Sequence, residues 1–391
     1  MKISVFFDNY LPFHELKDVG QIPLGLMEVG EDTAIITVTK PELAGYHPKF
    51  GLVQKPLGEF YNDEFWRSDD SDVILAYPLQ GKSYSPLLSK MKAAGKKVIL
   101  KFDSDGKIAY PLQRHIHRIP LRERLTFGNV ISEAFWLFAP RAFKRKKHTT
   151  VAAESIRQME LVDRAIIESP LALNNLKTFY SAWGHSELGE KASFIPNPVS
   201  TQFIEGTVGK KENLAITHGR WEDTRVKNTA GMAKAVAEFL NQHPEYRFMI
   251  FGSGMDIVKK HLEKVSKEVR ARIELSDFVP HSHVKAKLAP AKLLFLASRW
   301  ESFSIAAAEA VCCGCSIVGT PAEALQFLSN EGSSGTIAVN FSSKALIAAL
   351  NEDVIKWDTG SYDPQKIAAY WRPKVDRKTI AKSVLELAQD S

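Results

Sequence analysis

The chain has 391 residues, of which 45% are hydrophobic and 25% are charged, and it carries a formal net charge of +6. The composition is ordinary for a soluble globular protein, and the length excludes a single ordinary core and favours two domains. The mildly basic charge is compatible with phosphate-bearing ligands or an anionic surface and identifies neither.

The first residues, MKISVFFDNYLPF, predict a β-strand. Their apolar run is interrupted by Asp8 and is too short for the hydrophobic part of a signal peptide. No apolar run reaches the ~18 residues of a membrane-spanning helix, so we expect no such helix. The simplest location is cytoplasmic, with a peripheral position at the inner face of the membrane as a variant.

Apolar runs alternate with amphipathic segments, which indicates an α/β fold. The segment SFIPNPVS then predicts an extended connector, because proline restricts its own backbone and that of its predecessor. After it the same pattern restarts, so we predict two βαβ halves joined near residue 196. In the first half the predicted strands are 3–7, 34–38, 73–76, 98–102 and 165–168, and the predicted helices include 85–94 and 152–162. In the second half the predicted strands are 214–218, 247–251, 273–275, 293–297 and 316–319, and the predicted helices are 229–241, 255–269, 305–313 and 343–351.

All three cysteines, Cys312, Cys313 and Cys315, lie in one apolar segment. This clustering excludes a disulfide framework, and a zinc site would lack its second half. We therefore predict small buried thiols.

The segment LFLASRWESFSIAAAEAVCCGCSIVGTP predicts a strand, a polar turn, a helix from about Ile305 and a second strand, with Ser304 as the N-cap. Free N–H groups and the helix dipole at such a helix start favour a phosphate. Glu301 in the turn and Glu309 in the helix could then accept hydrogen bonds from sugar or ribose hydroxyls. In the alternative interpretation, Glu301 caps the helix and Glu309 meets a buried arginine.

Two cations and two glycines follow neighbouring strands of the second half. LAITHGRWEDTRVKN brings Arg220 and Lys227 to one edge of the sheet, and a guanidinium with an ammonium can neutralise a diphosphate. The alternative for each is a solvated loop charge. RFMIFGSGMD places Gly252 and Gly254 after a strand, where missing side chains let a nucleotide approach the backbone.

The order of PNPVS, HGRWEDTRVKN, MIFGSG, DFVPHSHV and RWESFSIAAAEAVCCGCSIVGTP resembles the retaining glycosyltransferases of the GT-B fold, in particular family four with its Glu-x7-Glu motif. The resemblance covers residues 190–335, and the closing IAAYWRPKVDRKTIAKSVLELA is similar to the terminal helices of that family. It implies an α/β GT-B fold of two Rossmann-like domains facing across a donor/acceptor cleft. The implied parts are an acceptor domain (1–195), a nucleotide-sugar donor domain (196–368) and a C-terminal helix that packs back on the first domain (369–391).

The resemblance also implies roles for individual residues of the second half. Arg220 and Lys227 would bind the donor diphosphate, with Arg225 as a candidate to share or take that role because Lys227 follows Arg220 at a longer spacing than usual. Glu309 would hold the ribose, and Glu301 would hold hydroxyls of the transferred sugar. The remaining donor-binding candidates are Gly219 in the Gly-Arg turn, Gly252, Gly254, the backbone of Ser302, Phe303 and Ser304 at the phosphate, and Phe278 and Val279 beside the base.

The first half departs from the family. Instead of a Gly-Gly loop after strand one it has KDVGQIPLGLMEVG, in which Gly20 is the best candidate to bring a backbone N–H near the donor phosphate. Where many members carry a histidine, this chain has Asp103 and Asp105. We take Asp103 as a catalytic candidate facing an acceptor or donor-sugar hydroxyl, with a plain strand-end turn as the alternative. A divalent metal at this Asp-x-Asp pair is the less favoured option.

The implied activity is transfer of a hexose-type sugar, with retention, from a nucleotide sugar to a hydroxyl acceptor in glycan, glycolipid or polysaccharide synthesis. UDP-sugar is favoured over GDP-sugar, and neither cofactor nor metal is expected. Departure on the front face would rely on Arg220, Lys227 and helix N–H groups to stabilise the leaving diphosphate. The alternatives are a nucleotide-sugar epimerase of similar fold and a non-catalytic partner that only binds a sugar nucleotide or a membrane.

Residues 114–148 hold basic runs around an aromatic segment. Basic clusters beside aromatic residues suit an anionic membrane surface, and such contact would fit a lipid-linked acceptor. The alternative is a surface helix whose aromatic side chains pack on the sheet. No nucleic-acid-binding signature accompanies them, so we expect no nucleic-acid partner.

Overall fold

The computed structural model describes residues 1–78, 83–108 and 140–390, with the backbone alone for 141–145. These residues form two compact domains. The first domain takes the described residues up to 201 together with 374–390, and the second domain takes residues 202–373. The chain thus passes to the second domain after Thr201 and returns to the first domain at Lys374.

The first domain is built on a seven-stranded parallel sheet in the order β3-β2-β1-β4-β5-β6-β7. Its strands are β1 (Lys2–Phe6), β2 (Asp32–Val38), β3 (Gly51–Lys55), β4 (Val73–Ala76), β5 (Lys97–Lys101), β6 (Arg164–Ile167) and β7 (Ala192–Phe194). The five predicted strands are confirmed to within two residues. The edge strands β3 and β7 escaped prediction because they are short and mostly half-buried, so they carry no long apolar run.

Helices cover both faces of this sheet, as a parallel sheet requires. They are α1 (Asp18–Glu28), α2 (Asp63–Ser68), α3 (Ser85–Ala93), α4 (Arg141–Leu161), α5 (Pro170–Ala182) and α6 (Ser186–Glu190), with 3-10 turns at Pro12–Leu16, Pro41–Leu43 and Leu57–Tyr61. The α4 helix contains the predicted helix 152–162 and begins eleven residues earlier, at Arg141.

The last helix of the chain, α17 (Arg377–Gln389), belongs to the first domain. It packs against α1, and its Ile380 and Val384 lie in the same apolar cluster as Ile3 of β1. The contact is close because α1 presents Gly25, where a Cβ would lie 2.3 Å from the carbonyl oxygen of Arg377. The core of the first domain is therefore closed by the C-terminal residues.

The second domain is built on a six-stranded parallel sheet in the order β10-β9-β8-β11-β12-β13. Its strands are β8 (Glu212–Arg220), β9 (Arg247–Ser253), β10 (Ile273–Ser276), β11 (Ala291–Leu296), β12 (Ser316–Gly319) and β13 (Gly335–Ile337). Five of the six were predicted, and the three-residue edge strand β13 was not.

The remaining helices flank this sheet or lead out of it. They are α7 (Thr201–Ile204), α8 (Thr224–Lys227), α9 (Thr229–Gln242), α10 (Met255–Leu262), α11 (Lys267–Arg270), α12 (His281–Leu288), α13 (Ile305–Cys312), α14 (Glu323–Leu328), α15 (Ser343–Asp358) and α16 (Pro364–Val375), which precedes α17. The single helix predicted at 255–269 is wrong. The chain breaks after Leu262, and Ser266 starts a separate helix by accepting a hydrogen bond from the N–H of Val269.

The three cysteines are confirmed as buried free thiols. Burial raises the pKa of each of them, and the Cys315 thiol donates to the carbonyl of Leu288 at 3.3 Å. They pack α13 and the start of β12 into the core of the second domain.

None of the helices within residues 1–78, 83–108 and 140–390 combines the length and the hydropathy that crossing a bilayer requires. Most of the predicted membrane-contact segment, 114–148, lies outside the described residues. Its last residues, 141–148, form the beginning of α4.

Candidate functional site

The candidate site of the second domain lies at the carboxyl edge of its sheet. Parallel strands end at the same edge, and open α/β sheets bind ligands there. The loops after β8, β9, β10 and β11 carry the residues that the sequence singled out. Contacts inside the second domain hold each of these loops in place.

Lys227 and Glu301 form an ion pair at this edge. Nζ of Lys227 lies 2.8 Å from Oε1 of Glu301, and the two side chains are only 19% and 11% exposed. Lys227 closes the short helix α8, which begins where the Asp223 side chain accepts a hydrogen bond from the N–H of Val226. A shielded ion pair of this kind is stronger than a surface pair because less water screens it.

A buried arginine that sequence reasoning missed ties the two loops together. Arg299 is 3% exposed, and its backbone N–H donates to the carbonyl of Val226 at 2.7 Å. Its guanidinium donates to the carbonyl of Arg225 at 3.0 Å. The chain on either side of Lys227 is therefore fixed to the loop that carries Glu301. An arginine directly after a buried strand, in LASRW, was the available signal.

Arg220 and Arg225 lie near this pair in the sequence but differ in setting. Arg220, the last residue of β8, is exposed, and Arg225 is half-buried in α8. Gly219 precedes Arg220, and a Cβ there would lie 3.7 Å from the Lys227 side chain. The edge thus presents two arginines in addition to the paired lysine.

The helix α13 starts at the predicted position, with Ser304 as its N-cap residue. Ser304 has φ of +66° and its side chain makes no capping hydrogen bond, so the expected Ser cap is present in position and absent in bonding. A left-handed serine is strained, and such strain is found at binding and catalytic sites. The first N–H groups of a helix have no intrahelical partners and remain available to an anion. Phe303 is buried and Ser302 is half-buried beside this helix start.

Glu309 lies inside α13 and is 3% exposed. Its Oε1 is 2.6 Å from Nε2 of His281, the first residue of α12. Burial raises the pKa of Glu309, and the His281 hydrogen bond opposes that rise. The alternative partner expected from the sequence, a buried arginine, is therefore wrong: the partner is a histidine. The fragment PHSHV contained it, but nothing in the spacing connected it with Glu309.

Gly252 and Gly254 have a structural explanation that sequence reasoning did not give. Gly252 has φ of +132°, and a Cβ there would lie 1.9 Å from the carbonyl oxygen of Gly219. Gly254 has φ of +72°, and its Cβ would lie 2.6 Å from the backbone N of Glu222. Both glycines let the ends of β8 and β9 approach each other, so the protein's own backbone already requires them.

His218, near the end of β8, is a second histidine that sequence reasoning missed. Its ring stacks on that of Phe251 at 4.7 Å with an interplanar angle of 3°. Nε2 is shielded from solvent and has no hydrogen-bond partner among the described residues. Burial, with the charge of Lys227 as the next cause, lowers the pKa of His218 to about 4. His218 is thus a neutral ring close to the Lys227–Glu301 pair.

Phe278 and Val279 lie between β10 and α12. Phe278 is 77% exposed, which leaves its ring face open to a planar ligand, whereas Val279 is half-buried.

The first domain places its candidates differently from the expectation. Gly20 lies in the first turn of α1, and its N–H donates to the carbonyl of Lys17 at 3.0 Å. The prediction that this N–H is offered to a phosphate is therefore wrong. A Cβ on Gly20 would lie 2.3 Å from Cα of Glu15, so glycine is required there for packing.

The Asp-x-Asp pair divides into an exposed and a buried residue. Asp103, after β5, is exposed, whereas Asp105 is 3% exposed and its Oδ1 accepts from the N–H of Lys107 at 3.2 Å. The carbonyl of Asp105 also accepts from the Asn175 amide at 2.9 Å. Asp105 thus shapes the turn that presents Asp103. No group of three or more His, Cys, Asp or Glu side chains within the described ranges is arranged to hold a metal ion.

A buried charge cluster lies at the carboxyl edge of the first sheet. Nζ of Lys101, the last residue of β5, is 2.9 Å from Oε1 of Glu168 and 4.0 Å from Oδ2 of Asp18. Lys101 and Glu168 are 1% and 0% exposed. Burial raises the pKa of Glu168 to about 8, against the opposing charge of Lys101. Sequence reasoning missed this cluster, because each residue follows or ends a different strand.

The protein is similar over its whole length to solved structures with the GT-B glycosyltransferase fold. HepE of Anabaena, solved in complex with UDP, gives a TM-score of 0.68 at 15% identity, with 100% of each chain covered. Sucrose-phosphate synthase of Thermosynechococcus elongatus gives 0.69 at 13% identity, covering 100% of this chain and 98% of the other. At such identities the likeness establishes the fold, and the predicted GT-B fold class is confirmed.

The second domain also matches a protein family. Residues 200–358 match the family model described as Glycosyl transferases group 1. A relative from Arabidopsis thaliana, the A-type chain of phosphatidylinositol N-acetylglucosaminyltransferase, is 29% identical over 131 residues, a match that covers 33% of this chain and 29% of that protein. The match therefore spans less than a third of that relative. Together with the fold, these findings support a GT-B glycosyltransferase.

Proposed function

We propose that this protein is a retaining glycosyltransferase of family four that transfers a hexose-type sugar from a nucleotide sugar, with UDP-sugar favoured over GDP-sugar. The observation that supports this most is the shielded Lys227–Glu301 pair directly before the start of α13. It combines a cation for a diphosphate, a carboxylate for sugar hydroxyls and a helix N-terminus for phosphate oxygens. HepE, of the same fold, was solved with UDP and with UDP-glucose.

Each site residue then has a role. Lys227, with Arg220 and the half-buried Arg225, binds the diphosphate together with the backbone of residues 302–304. Glu301 accepts hydrogen bonds from the transferred sugar, and Glu309 accepts them from the ribose. The exposed ring of Phe278, with Val279, flanks the base, and Gly219, Gly252 and Gly254 allow the backbone of β8 and β9 to lie close to the donor.

The reaction proposed for these residues needs no carboxylate nucleophile. The acceptor oxygen forms a bond to the anomeric carbon on the face from which the phosphate oxygen departs. The acceptor proton moves to that phosphate oxygen, and the nucleoside diphosphate leaves. Arg220 and Lys227 stabilise the charge that develops on the diphosphate, which is an electrostatic contribution. Asp103 is proposed to contact the acceptor hydroxyl, and the acceptor is proposed to be a glycan or a lipid-linked molecule.

The proposal is tested by titrating the protein with UDP and GDP and then supplying UDP-glucose, UDP-galactose, UDP-N-acetylglucosamine and GDP-mannose. Nucleotide release, and NMR of the anomeric configuration of the product, are the readouts. We expect a nucleoside diphosphate to bind with the folded protein stabilised, and release to persist in a chelator because the cations of the site are side chains. Inversion of configuration, or loss of activity with the chelator, would contradict the mechanism.

The same experiment separates the competing interpretations. An epimerase converts the sugar nucleotide without any acceptor, which NMR of the donor detects. A non-catalytic partner binds the nucleotide but releases none from any donor. Peripheral membrane contact is tested separately by co-flotation with vesicles of phosphatidylcholine and phosphatidylglycerol, with pure phosphatidylcholine vesicles as the control.

A further inference from the structure

Glu309 is the last residue of a chain of three side chains within the second domain. The amide Nε2 of Gln202, in α7, lies 3.0 Å from Nδ1 of His281 and 3.1 Å from the backbone oxygen of His281. Nε2 of the same imidazole lies 2.6 Å from Oε1 of Glu309. One ring thus connects an amide from the start of the second domain to a carboxylate in α13.

The contacts of Gln202 fix where the imidazole carries its proton. The backbone oxygen of His281 can only accept a hydrogen bond, so the group of Gln202 that faces it must be the NH₂. The same NH₂ group faces Nδ1, which must therefore accept. The proton of the neutral ring is then on Nε2, and Nε2–H donates to Glu309.

The surroundings of His281 favour this neutral form. It is the first residue of α12, where the positive end of the helix dipole disfavours a cation. The ring of Phe203 packs edge-on against it at 5.3 Å, which holds its plane. Oε2 of Glu309 receives no hydrogen bond from the described residues, so one carboxylate oxygen is held and the other is left for a ligand.

We propose that Gln202 and His281 are positioning residues that hold Glu309 ionised and in one orientation, and that this sets the preference of the site for a nucleotide with ribose hydroxyls. The inference rests on the proposed function, in which Glu309 reads the ribose. Burial alone would favour a protonated Glu309, whose carboxyl would accept hydroxyls poorly. The donated Nε2–H opposes that and also prevents rotation of the carboxylate.

The test uses calorimetric titration of the full chain with UDP and 2′,3′-dideoxy-UDP, and with the corresponding guanosine pair. For the nucleotide that binds, we expect wild type to prefer the ribose form by about 10-fold, as the loss of hydrogen bonds to a charged group predicts. His281→Ala should reduce this preference to about 2-fold or less. His281→Gln, which keeps an N–H near the position of Nε2, should restore part of it.

The matched control is His283→Ala, which removes an exposed histidine from the same helix. It should leave the preference unchanged. Gln202→Met serves as an independent variant if His281→Ala does not fold, and it should lower the preference because the ring is then free to take the other tautomer. A His281 variant that weakens both ligands equally would overturn the inference and show a merely structural role.

Failure of the proposed function gives a different pattern. If Glu309→Gln retains the full preference for the ribose form, Glu309 does not read the ribose, and its proposed role is wrong. If Glu309→Gln loses the preference while His281→Ala and Gln202→Met keep it, the role of Glu309 stands and the positioning inference fails. Absence of binding by either nucleotide would overturn both.

Discussion

The ammonium of Lys227 lies 2.8 Å from the carboxylate of Glu301, although the two residues are 74 positions apart in the chain. Arg299 holds the surrounding loops together through two backbone carbonyls. The pair is therefore an element of the folded site and not a chance surface contact. In the proposed function it joins the diphosphate and sugar parts of the donor.

The first prediction concerns the coupling of this pair. Lys227→Met and Glu301→Gln should each reduce kcat/KM by about 100-fold, because each removes a preorganised charged group from the reacting donor. The double variant should lose much less than the product of the two effects, since residues in contact are not additive. Steady-state kinetics of the three variants measures this.

The control for Lys227→Met is Lys234→Met, which removes an exposed lysine from α9 and should leave the kinetics unchanged. Fully additive losses in the double variant would show that the ion pair has no energetic role in turnover.

The second prediction concerns the close approach of β8 and β9. Gly252→Ala should lower the free energy of unfolding of the second domain by about 3 kcal/mol or more, because its Cβ would meet the oxygen of Gly219 at 1.9 Å in a backbone conformation that alanine resists. Denaturant unfolding measures the loss.

Gly360→Ala separates the clash from the backbone conformation. Gly360 also has a positive φ, of +71°, but a Cβ there would meet nothing within 4 Å. We expect it to cost only about 1 kcal/mol. Equal losses in the two variants would contradict the steric explanation for Gly252.

The third prediction concerns Ser304 at the start of α13. Its φ of +66° should make Ser304→Val destabilising by about 1–3 kcal/mol, because a β-branched residue tolerates this conformation poorly. Ser304→Gly should be neutral or slightly stabilising, since the serine side chain makes no capping bond to lose.

Ser302→Val is the matched control, because Ser302 lies two residues away and has no positive φ. Chemical denaturation of the three variants decides the matter. If valine is tolerated equally well at both positions, the left-handed conformation of Ser304 is wrong.

The fourth prediction concerns the charge cluster of the first domain. Burial raises the pKa of Glu168 from 4.5 to about 8, so the folded protein binds this proton more tightly than the unfolded chain does. The contribution of Glu168 to the free energy of unfolding is therefore complete below pH 4.5 and falls as the pH rises towards 8, by up to about 1.4 kcal/mol per pH unit. Burial also raises the pKa of Asp18, which acts in the same direction.

Glu168→Gln should remove most of this pH dependence, whereas Glu190→Gln, at an exposed glutamate of the same domain, should not. Hydrogen exchange of the β5 and β6 amides, corrected for the intrinsic exchange rate, reports on the first domain separately. A wild-type domain whose protection does not fall between about pH 5 and pH 8 would contradict the assignment.

The sequence was sufficient for elements whose burial is continuous. All four residues of β4 are buried, and its bounds were predicted without error. The edge strand β3 has no fully buried residue, so its pattern could not be distinguished from a loop. Burial on both faces is thus what made a strand visible.

The same limit applies to the site. Glu301 and Glu309 were recognisable because a strand, a turn and a helix frame them. The partner of Glu309 was not, because His281 approaches from another loop and no periodicity records which loops meet. Gly20 failed for a related reason: a resemblance supplied a loop where this chain begins α1.

The way in which α17 closes the core of the first domain has a consequence for the order of folding during synthesis. Ile380 and Val384 complete a cluster that begins at Ile3, and the whole second domain is made between them. The second domain is contiguous and can fold as soon as it leaves the ribosome. The first domain must wait roughly 10–35 s longer for its last helix at ordinary synthesis rates. During that interval the apolar face of α1 is open, and it is the surface most exposed to misassembly or to a chaperone.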